Sequence, residues 1–451
     1  MFWKNPSALT QVLIVAMVCF TCPGLFNALN SIAAGVADET INYNATALLY
    51  ACFALFGLFA GGAVNVIGPK YTLFIGTFGY IMYSASLLVM DKNYDTVAKV
   101  YSSGATTFFY ASNAVIGISA GFLWTAQGQM CMAYPTSETK GTYFAYFWVI
   151  FNLGGSLGGF LSFATNYDNK GEAATTSTYV VFLILMSCGA LFSLVLADPN
   201  NVVRNDGTMV KVERLPNPVS EFVATLKTFL DPKMLLMFPL FAYSNWFYQY
   251  HSFFNTSLFN TRSSSFASAF YWGSQMLGAF TVGKYLDRPG SKKPKALQSI
   301  FVIAVLIMLM WGSAMWVQVE FDLGNGKKDK NIDFQEGAFW LKFLLYMFYG
   351  FNDSIVQVWA YWLMGQFSDD MSTLGRYAGY YKCVQSGMAA VGWRLGGIPI
   401  SPVSNIIVNW TLSTVGLVLA FISVKTYMEE KTHEEAYEGA ETPKDKVLIA
   451  H

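Results

Sequence analysis

Polar side chains recur inside four long apolar segments of the chain, where they could bind a solute or carry a proton. These residues are Asn27 and Asn30, Asn113 and Gln127, Asn245 and Gln249, and Asn352, Asp353 and Gln357. Asp353 is the strongest candidate, because a carboxylate near the centre of a membrane helix costs about 2.5–3.5 kcal/mol on insertion scales and normally has a partner or a function. Gln357, four residues further on, shares its helix face.

Lys382 is a second charge placed deep inside an apolar segment. At 1.5 Å of rise per helical residue, its height differs from that of Asp353 by roughly 6–9 Å. The two groups could therefore pair directly or through water. Two interpretations remain open: a static ion pair that joins two helices, or a site that binds substrate or couples its movement to a proton or cation.

The segment FAYSNWFYQYHSFF at 241–254 combines aromatic rings with Asn245, Gln249 and His251. Such rings could form a wall that attracts cations. They could equally serve packing or an interfacial belt. His251 could respond to pH, although a solvated histidine is the simpler interpretation.

Enzyme chemistry finds no support in the sequence. We find no phosphate loop, zinc-ligand spacing or nucleophile elbow. Two of the three histidines lie near the C-terminus, and all six cysteines fall in apolar runs, as buried thiols do. The sequence predicts no enzyme, no catalytic residue, no metal site and no cofactor, and it gives no sign of a nucleic-acid partner.

The elements that carry these residues are predicted to be membrane helices. The 451 residues are 54% hydrophobic and only 12% charged, whereas soluble proteins have about 25% charged residues. The first apolar run is too long for a signal peptide and is interpreted as a retained span. An all-α membrane protein with twelve transmembrane helices in a lipid bilayer is predicted, with spans at 8–35, 45–67, 71–90, 102–132, 142–165, 179–197, 233–257, 265–284, 296–319, 337–366, 374–396 and 401–425.

A polar, proline-containing segment divides the spans into two groups of six. We predict an N-terminal half at 1–197, a cytoplasmic linker at 198–232 with a short amphipathic piece, and a C-terminal half at 233–425. The charged tail at 426–451 is poor in apolar residues and is predicted to be disordered.

The distribution of basic residues predicts the orientation. Loops on the side of the termini hold 18 Lys and Arg residues, against 8 in the opposite loops, so both termini are expected in the cytoplasm. The sequons at Asn44 and Asn255 then fall on the outer side and are candidate glycosylation sites. The sequence does not distinguish the plasma membrane from an endomembrane.

Glycines point to close helix packing. In the fifth span, Gly154 and Gly158 form one small-xxx-small pair and Gly155 and Gly159 form another. The two halves also repeat a pattern, about 222 residues apart, between their second and third spans. The repeated residues are Gly61, Asn65, Gly68 and Lys70 in the first half, and Gly283, Asp287, Gly290 and Lys292 in the second.

Several motifs resemble one family. LWTAQG at 123–128, YP…E…KG.Y at 134–143, FN.GG at 151–155 and YG..D…Q…YW..G at 349–366 are similar to the uncoordinated-93-like (unc-93-like) branch of the major facilitator superfamily, especially its fungal-type members. The repeated glycine pattern resembles the cytoplasmic loop signature of that superfamily. The resemblance implies the superfamily fold, with two six-helix halves and a central cavity lined by the first, fourth, seventh and tenth helices.

The resemblance also implies a gate at the repeated loops. The expected gating residues are Gly61, Asn65, Gly68, Lys70, Gly283, Asp287 and Arg288. Asn65 replaces the usual aspartate and so removes a charge that could pair with basic residues across the gate.

Two functional classes follow from this resemblance and remain open. A secondary transporter would move a small solute or an ion, such as a proton or potassium, by alternating access. A regulator, as animal unc-93-like members are understood, would bind a potassium channel or escort another membrane protein. The fold alone does not decide between them.

Overall fold

The described part of the chain consists mostly of helices that cross from one side of the molecule to the other. The computed structural model describes residues 5–32, 39–95, 100–165, 167, 176–213, 217–324, 331–398 and 400–429. Within these ranges there are twelve spans, numbered here in chain order. Span 1 consists of three consecutive segments: the helix Ala8–Cys19, the π-helical turn Phe20–Gly24 and the helix Leu25–Ile32. Span 3 consists of two helices, Pro69–Ile75 and Phe78–Lys92. The others are Glu39–Ile67, Ser103–Ala133, Lys140–Thr165, Thr176–Leu194, Pro232–Leu258, Thr261–Leu286, Lys292–Phe321, Gly337–Gln366, Met371–Gly396 and Pro402–Tyr427.

The prediction of twelve membrane helices is confirmed, and most boundaries agree within a few residues. The largest difference is at span 2, which begins at Glu39 rather than at residue 45. Its first residues, ETINYN, are polar and escape a hydropathy criterion, yet they continue the helix. The proposed disordered tail lies outside the described residues from position 430 onward.

Spans differ in how apolar they are. Among the described helices, spans 1, 2, 3, 4, 5, 9 and 12 are long and apolar enough to cross a membrane on composition alone, and span 6 contains a shorter apolar helix. Spans 7, 8, 10 and 11 are less apolar because they carry many amides, hydroxyls and glycines. These four spans contribute most of the polar site described below.

A helical linker connects the halves on the side where span 1 begins and span 12 ends, here called the terminal side. It contains the turn Pro199–Asn201 and the linker helix Pro218–Thr228, which is capped by the Asn217 side chain. On the opposite side, here called the far side, Tyr94–Asp95 and Val100–Tyr101 form an antiparallel pair of short strands.

The two glycine pairs of span 5 face different neighbours. Gly154 and Gly158 pack against Gly24 and Ala28 of span 1 within the same half. Gly155 and Gly159 pack against Trp272 and Ala269 of span 8 in the other half. One helix therefore uses adjacent small-residue faces to hold its own half together and to contact the second half.

On the far side, Arg262 at the start of span 8 connects the halves. Its guanidinium donates a 3.0 Å hydrogen bond to the Tyr167 backbone oxygen and lies 5.5 Å from the Tyr167 ring centroid and 5.1 Å from that of Phe334. It also pairs with Asp333 at 2.7 Å. Partial burial raises the pKa of Asp333, but hydrogen bonds from Arg262 and Asn260 outweigh this effect and lower the pKa to about 2.

Gly158→Ala is expected to destabilise the protein because the new methyl group would overlap the Ala28 backbone and side chain. Overpacking of this kind costs about 1–3 kcal/mol. The matched control is Gly273→Ala, whose methyl group would meet only the Ser156 hydroxyl at 3.8 Å. Melting in detergent would measure both variants, and equal melting temperatures would contradict the packing described for span 5.

Acidification should weaken the far-side contact through Asp333. Its folded-state pKa is depressed, so its stabilising contribution is complete above about pH 4 and is lost as the pH falls toward about 2. Asp333→Asn should lower the melting temperature at pH 7 and flatten its decline between pH 4 and 2. Parallel melting curves for the two proteins across that range would count against this assignment.

Candidate functional site

Asp353 lies near the middle of span 10 and is only 2% exposed. Its carboxylate accepts three hydrogen bonds. Gln357 Nε2 donates to Oδ1 at 2.6 Å, and the hydroxyls of Tyr248 and Tyr271 donate to Oδ2 at 2.7 and 3.3 Å. Spans 7, 8 and 10 thus supply the donors that a buried carboxylate needs.

Lys382 of span 11 lies among three aromatic rings. Its ammonium is 4.8 Å from the ring centroid of Trp124, 5.0 Å from that of Tyr381 and 5.4 Å from that of Tyr361. It donates a 2.7 Å hydrogen bond to Gln385 Oε1. Trp124 belongs to span 4 of the first half, so this cation–π contact joins the halves at the level of the site.

Two glutamine amides connect the carboxylate to the ammonium. Gln385 Nε2 donates to Gln357 Oε1 at 3.0 Å, which completes a continuous path from Lys382 through both amides to Asp353. The amide of Gln385 is oriented by further donation to the Ser244 hydroxyl at 3.0 Å and the Ser244 backbone oxygen at 3.3 Å. Among the described residues, Asp353 and Lys382 form no direct ion pair, and the relay of amides takes its place.

The path continues from Asp353 toward the far side. The hydroxyl of Tyr271 is 3.1 Å from His251 Nδ1. His251 is 2% exposed and its ring stacks on Tyr349 with centroids 4.4 Å apart. The interpretation of His251 as a solvated histidine is therefore wrong. This set of residues, from His251 through Tyr271, Asp353, Gln357 and Gln385 to Lys382, is called the polar relay below.

The other predicted polar residues do not join the relay. Asn113 and Asn352 each donate to a backbone oxygen of their own helix. Gln249 accepts a hydrogen bond from Asn405 of span 12, and Asn30 accepts one from Tyr83 of span 3.

Three further predicted residues lie on the spans of the proposed cavity. Asn27 is half-buried in span 1. Asn245 is 8% exposed in span 7. Gln127 is fully buried, and neither of its amide atoms has a hydrogen-bond partner in the described part of the chain.

Sequence reasoning missed the residues that complete the relay. Gln385 lies one helical turn from Lys382, and that spacing was a usable signal. Tyr271 is distant in sequence from Asp353, and nothing local indicates their contact. Most other aromatic residues of span 7, Tyr250 among them, are buried in packing contacts, whereas Tyr248 reaches Asp353.

The repeated glycines form reciprocal contacts between the halves on the terminal side. Gly61 of span 2 abuts Gly375 and Arg376 at the start of span 11, and Gly283 of span 8 abuts Gly141 at the start of span 5. A Cβ at Gly61 would lie 3.1 Å from the Gly375 oxygen. Larger residues would force the helix pairs apart.

The loops that follow these glycines require a left-handed backbone. Gly68 has φ of 85° and Gly290, at the equivalent position of the repeat, has φ of 113°. A side chain at either position would be strained. Lys70 beside the first loop is half-buried, and Arg288 in the second donates to Tyr285 and Gln298 of its own half.

Asp287 holds span 5 from the opposite half. Its carboxylate accepts hydrogen bonds from the backbone nitrogens of Gly141, at 2.8 Å, and Thr142, so it caps the start of a helix to which it does not belong. Burial raises the pKa of Asp287 above its ordinary value. The helix N-terminus favours the charged form nonetheless, because its free N–H groups point at the carboxylate.

Asn65 occupies the position equivalent to Asp287 in the first half, but it forms different hydrogen bonds. Its Nδ2 donates to the Ser372 oxygen at 2.9 Å and to Glu221 Oε2 at 3.1 Å, and its Oδ1 accepts from Gln129 at 2.8 Å. Glu221 of the linker helix also pairs with Arg376 at 3.0 Å. Asn65 itself carries no charge, and the carboxylate that pairs with Arg376 at this contact comes from the linker helix instead.

The two candidate glycosylation sites differ in accessibility. Asn255 is 6% exposed, and its Nδ2, the atom that would carry a glycan, donates to the Ser264 oxygen at 3.1 Å. Asn44 lies half-buried near the far-side end of span 2. This geometry favours Asn44 as the proposed acceptor and disfavours Asn255.

Comparison with known sequences and structures identifies similar proteins along nearly the whole chain. The family profile described as ion channel regulatory protein UNC-93 matches residues 35–423. UNC93-like protein 1 of Arabidopsis thaliana is 37% identical over 96% of this chain and 94% of its own length. An UNC93-like protein of Schizosaccharomyces pombe is 35% identical over 92% of this chain and 81% of its own length.

Among solved structures, the fold is similar to that of major facilitator superfamily transporters. FucP in its outward conformation superposes with a TM-score of 0.62 at 11% identity, covering 93% of this chain and 98% of FucP. The proton:xylose symporter XylE superposes with a TM-score of 0.62 at 14% identity, covering 96% of this chain and 98% of XylE. These similarities establish the major facilitator fold with its two six-helix halves.

Asn65→Asp is expected to destabilise the terminal-side contact. An aspartate has no N–H to give the Ser372 oxygen, and it would face the buried Glu221 carboxylate. Loss of such buried hydrogen bonds costs about 1–3 kcal/mol. Melting temperature in detergent is the measurement, with Asn201→Asp in the exposed part of the linker as the control.

The double variant Asn65→Asp with Glu221→Gln tests the cause. It moves the carboxylate from the linker helix to span 2 and restores a donor between positions 65 and 221. Part of the lost melting temperature should return. A double variant whose loss equals the sum of the two single losses would overturn this account of Asn65.

Proposed function

The chain belongs to the UNC-93 family, and from this membership together with the geometry above we propose that it is a secondary transporter. It would move a small solute or cation across the membrane by alternating access of its two halves. The observation that carries the proposal is the polar relay, a buried carboxylate and a buried ammonium joined by two amides at the interface between the halves.

The form of the relay argues against a purely structural ion pair. Direct contact would give the strongest attraction between Asp353 and Lys382, since Coulomb energy falls with distance. The two amides instead keep the charges apart while each remains hydrogen-bonded. Such separation lets each charge exchange its partner without leaving the other unsatisfied, as a coupling site requires.

The two oxygens of Asp353 differ in their freedom. Oδ1 faces Gln357, whose amide is oriented by Gln385 and, through it, by Ser244. Oδ2 faces two tyrosine hydroxyls, which can rotate. A proton taken up at Oδ2 could donate to the Tyr271 oxygen, and the Tyr271 hydroxyl would then turn toward His251.

Lys382 would transmit a change at this site to the first half. Its ammonium contacts the Trp124 ring across the interface, and the relay ties it to Asp353 through Gln385. A change of charge at Asp353 alters the field at Lys382 and hence its attraction to the Trp124 ring. Protonation is thereby coupled to the contact that must open and close during alternating access.

A second candidate function rests on the family description. Its profile names an ion channel regulatory protein, so a role as partner of a potassium channel or as escort of another membrane protein is the alternative. In that case the relay would fix the interface of the halves rather than carry a proton.

Asp353→Asn should abolish gradient-driven uptake while leaving folded protein at its normal abundance, because the amide keeps the volume but cannot take a proton. The measurement is uptake of a panel of labelled solutes, and of protons and potassium, into liposomes with an imposed pH or potassium gradient. Asp206→Asn, in the exposed linker, is the control.

Each outcome of that experiment decides between the candidates. If the unchanged protein takes up a solute or ion and the Asp353→Asn variant does not, the result supports a proton- or cation-coupled transporter. Equal uptake by both proteins would remove Asp353 from the coupling role. Absence of flux across the panel, together with a stable membrane protein recovered in co-purification, would favour the regulator.

A further inference from the structure

The linker helix Pro218–Thr228 is apolar on the side that faces away from the protein. Val219 is 72% exposed, Phe222 39%, Val223 43% and Leu226 40%. The opposite side carries Glu221, Thr225 and Thr228, all buried against the protein. A helix on a water-exposed surface has the reverse arrangement, with its apolar face turned inward.

The outward face continues an exposed apolar surface of span 2. Phe222 stacks on Phe59 of span 2, with ring centroids 5.6 Å apart and planes inclined by 8°. Phe59 is 38% exposed and lies on the same span as Leu55, which is 54% exposed. Span 2 crosses the membrane, so these outward apolar side chains face acyl chains, and Phe222 extends their row onto the linker helix.

The inner face of the same helix contacts both halves on the terminal side. Glu221 binds both Asn65 of the first half and Arg376 of the second. Thr225 packs against Gly61 and Gly62. The linker helix is therefore part of a contact that joins the halves.

We propose that the linker helix is an interfacial helix whose outward face, formed by Val219, Phe222, Val223 and Leu226, lies in the boundary between headgroups and acyl chains. The bilayer holds this helix against the two halves and so holds Glu221 in place. Lys227, exposed beside this face, reaches the headgroup layer with its ammonium while its stem stays apolar. The proposal does not rest on transport and holds equally for a regulator.

Site-directed fluorescence in nanodiscs tests where the face lies. An environment-sensitive probe is attached to cysteines introduced as Phe222→Cys or Leu226→Cys in the full-length protein, after Cys52, Cys188 and Cys383 are replaced by alanine. Phe301→Cys, 71% exposed on span 9, is the lipid control. Asp206→Cys in the exposed linker is the aqueous control.

Both linker-helix probes should behave like the lipid control. Nitroxide-labelled lipid should quench them severalfold more than it quenches the probe at position 206, and aqueous iodide severalfold less. Quenching by iodide equal to that at position 206 would overturn the proposal.

A second measurement tests whether the bilayer holds the gate closed. Spin labels at Val66→Cys and Asp369→Cys report the separation of the halves on the terminal side, in the same cysteine-replaced background. Val219→Asp and Leu226→Asp should lengthen or broaden this distance, because a charge expels the helix from the interface. Met209→Asp, at an exposed apolar linker position outside the helix, should not. If the distance between the labels at positions 66 and 369 is unchanged in both helix variants, the proposal that the bilayer holds the linker helix against the two halves is overturned.

Discussion

The buried Asp353 carboxylate imposes a requirement that the surrounding helices must meet. With no bulk water among packed helices, every lone pair of such a group must be satisfied by protein donors. Spans 7 and 8 supply tyrosine hydroxyls, and span 10 supplies Gln357. These polar groups make the three helices less apolar than most other spans. Their polar faces can exist only because they turn toward one another and away from lipid.

The buried Lys382 ammonium also needs interaction partners, and it finds them in both halves of the molecule. Its ammonium is satisfied by one amide and three aromatic rings, and one of those rings belongs to the first half. The site is therefore largely the property of the C-terminal half, and the Trp124 ring of the N-terminal half packs against its ammonium. This asymmetry agrees with the absence of charged residues from the polar positions Asn27, Asn30, Asn113 and Gln127.

Hydropathy and glycine spacing were sufficient to predict the helices, since length and apolarity are local properties that a bilayer enforces. The sequence also indicated Asp353 and Lys382 as exceptional. It could not indicate their connection, because Gln357 and Gln385 meet only after spans 10 and 11 pack against each other. The contacts of Asn65 could not be predicted for a similar reason: its partner Glu221 lies 156 residues away, on a linker helix with no counterpart in the internal repeat.

The reciprocal glycine contacts have the geometry of a two-fold dimer interface, in which one patch meets a second patch and the second meets the first. Span 2 at Gly61 contacts the start of span 11 at Gly375, and span 8 at Gly283 contacts the start of span 5 at Gly141, each across the halves. The two contacts are nonetheless unequal, because the linker helix joins the one at Gly61 as a third component through Glu221.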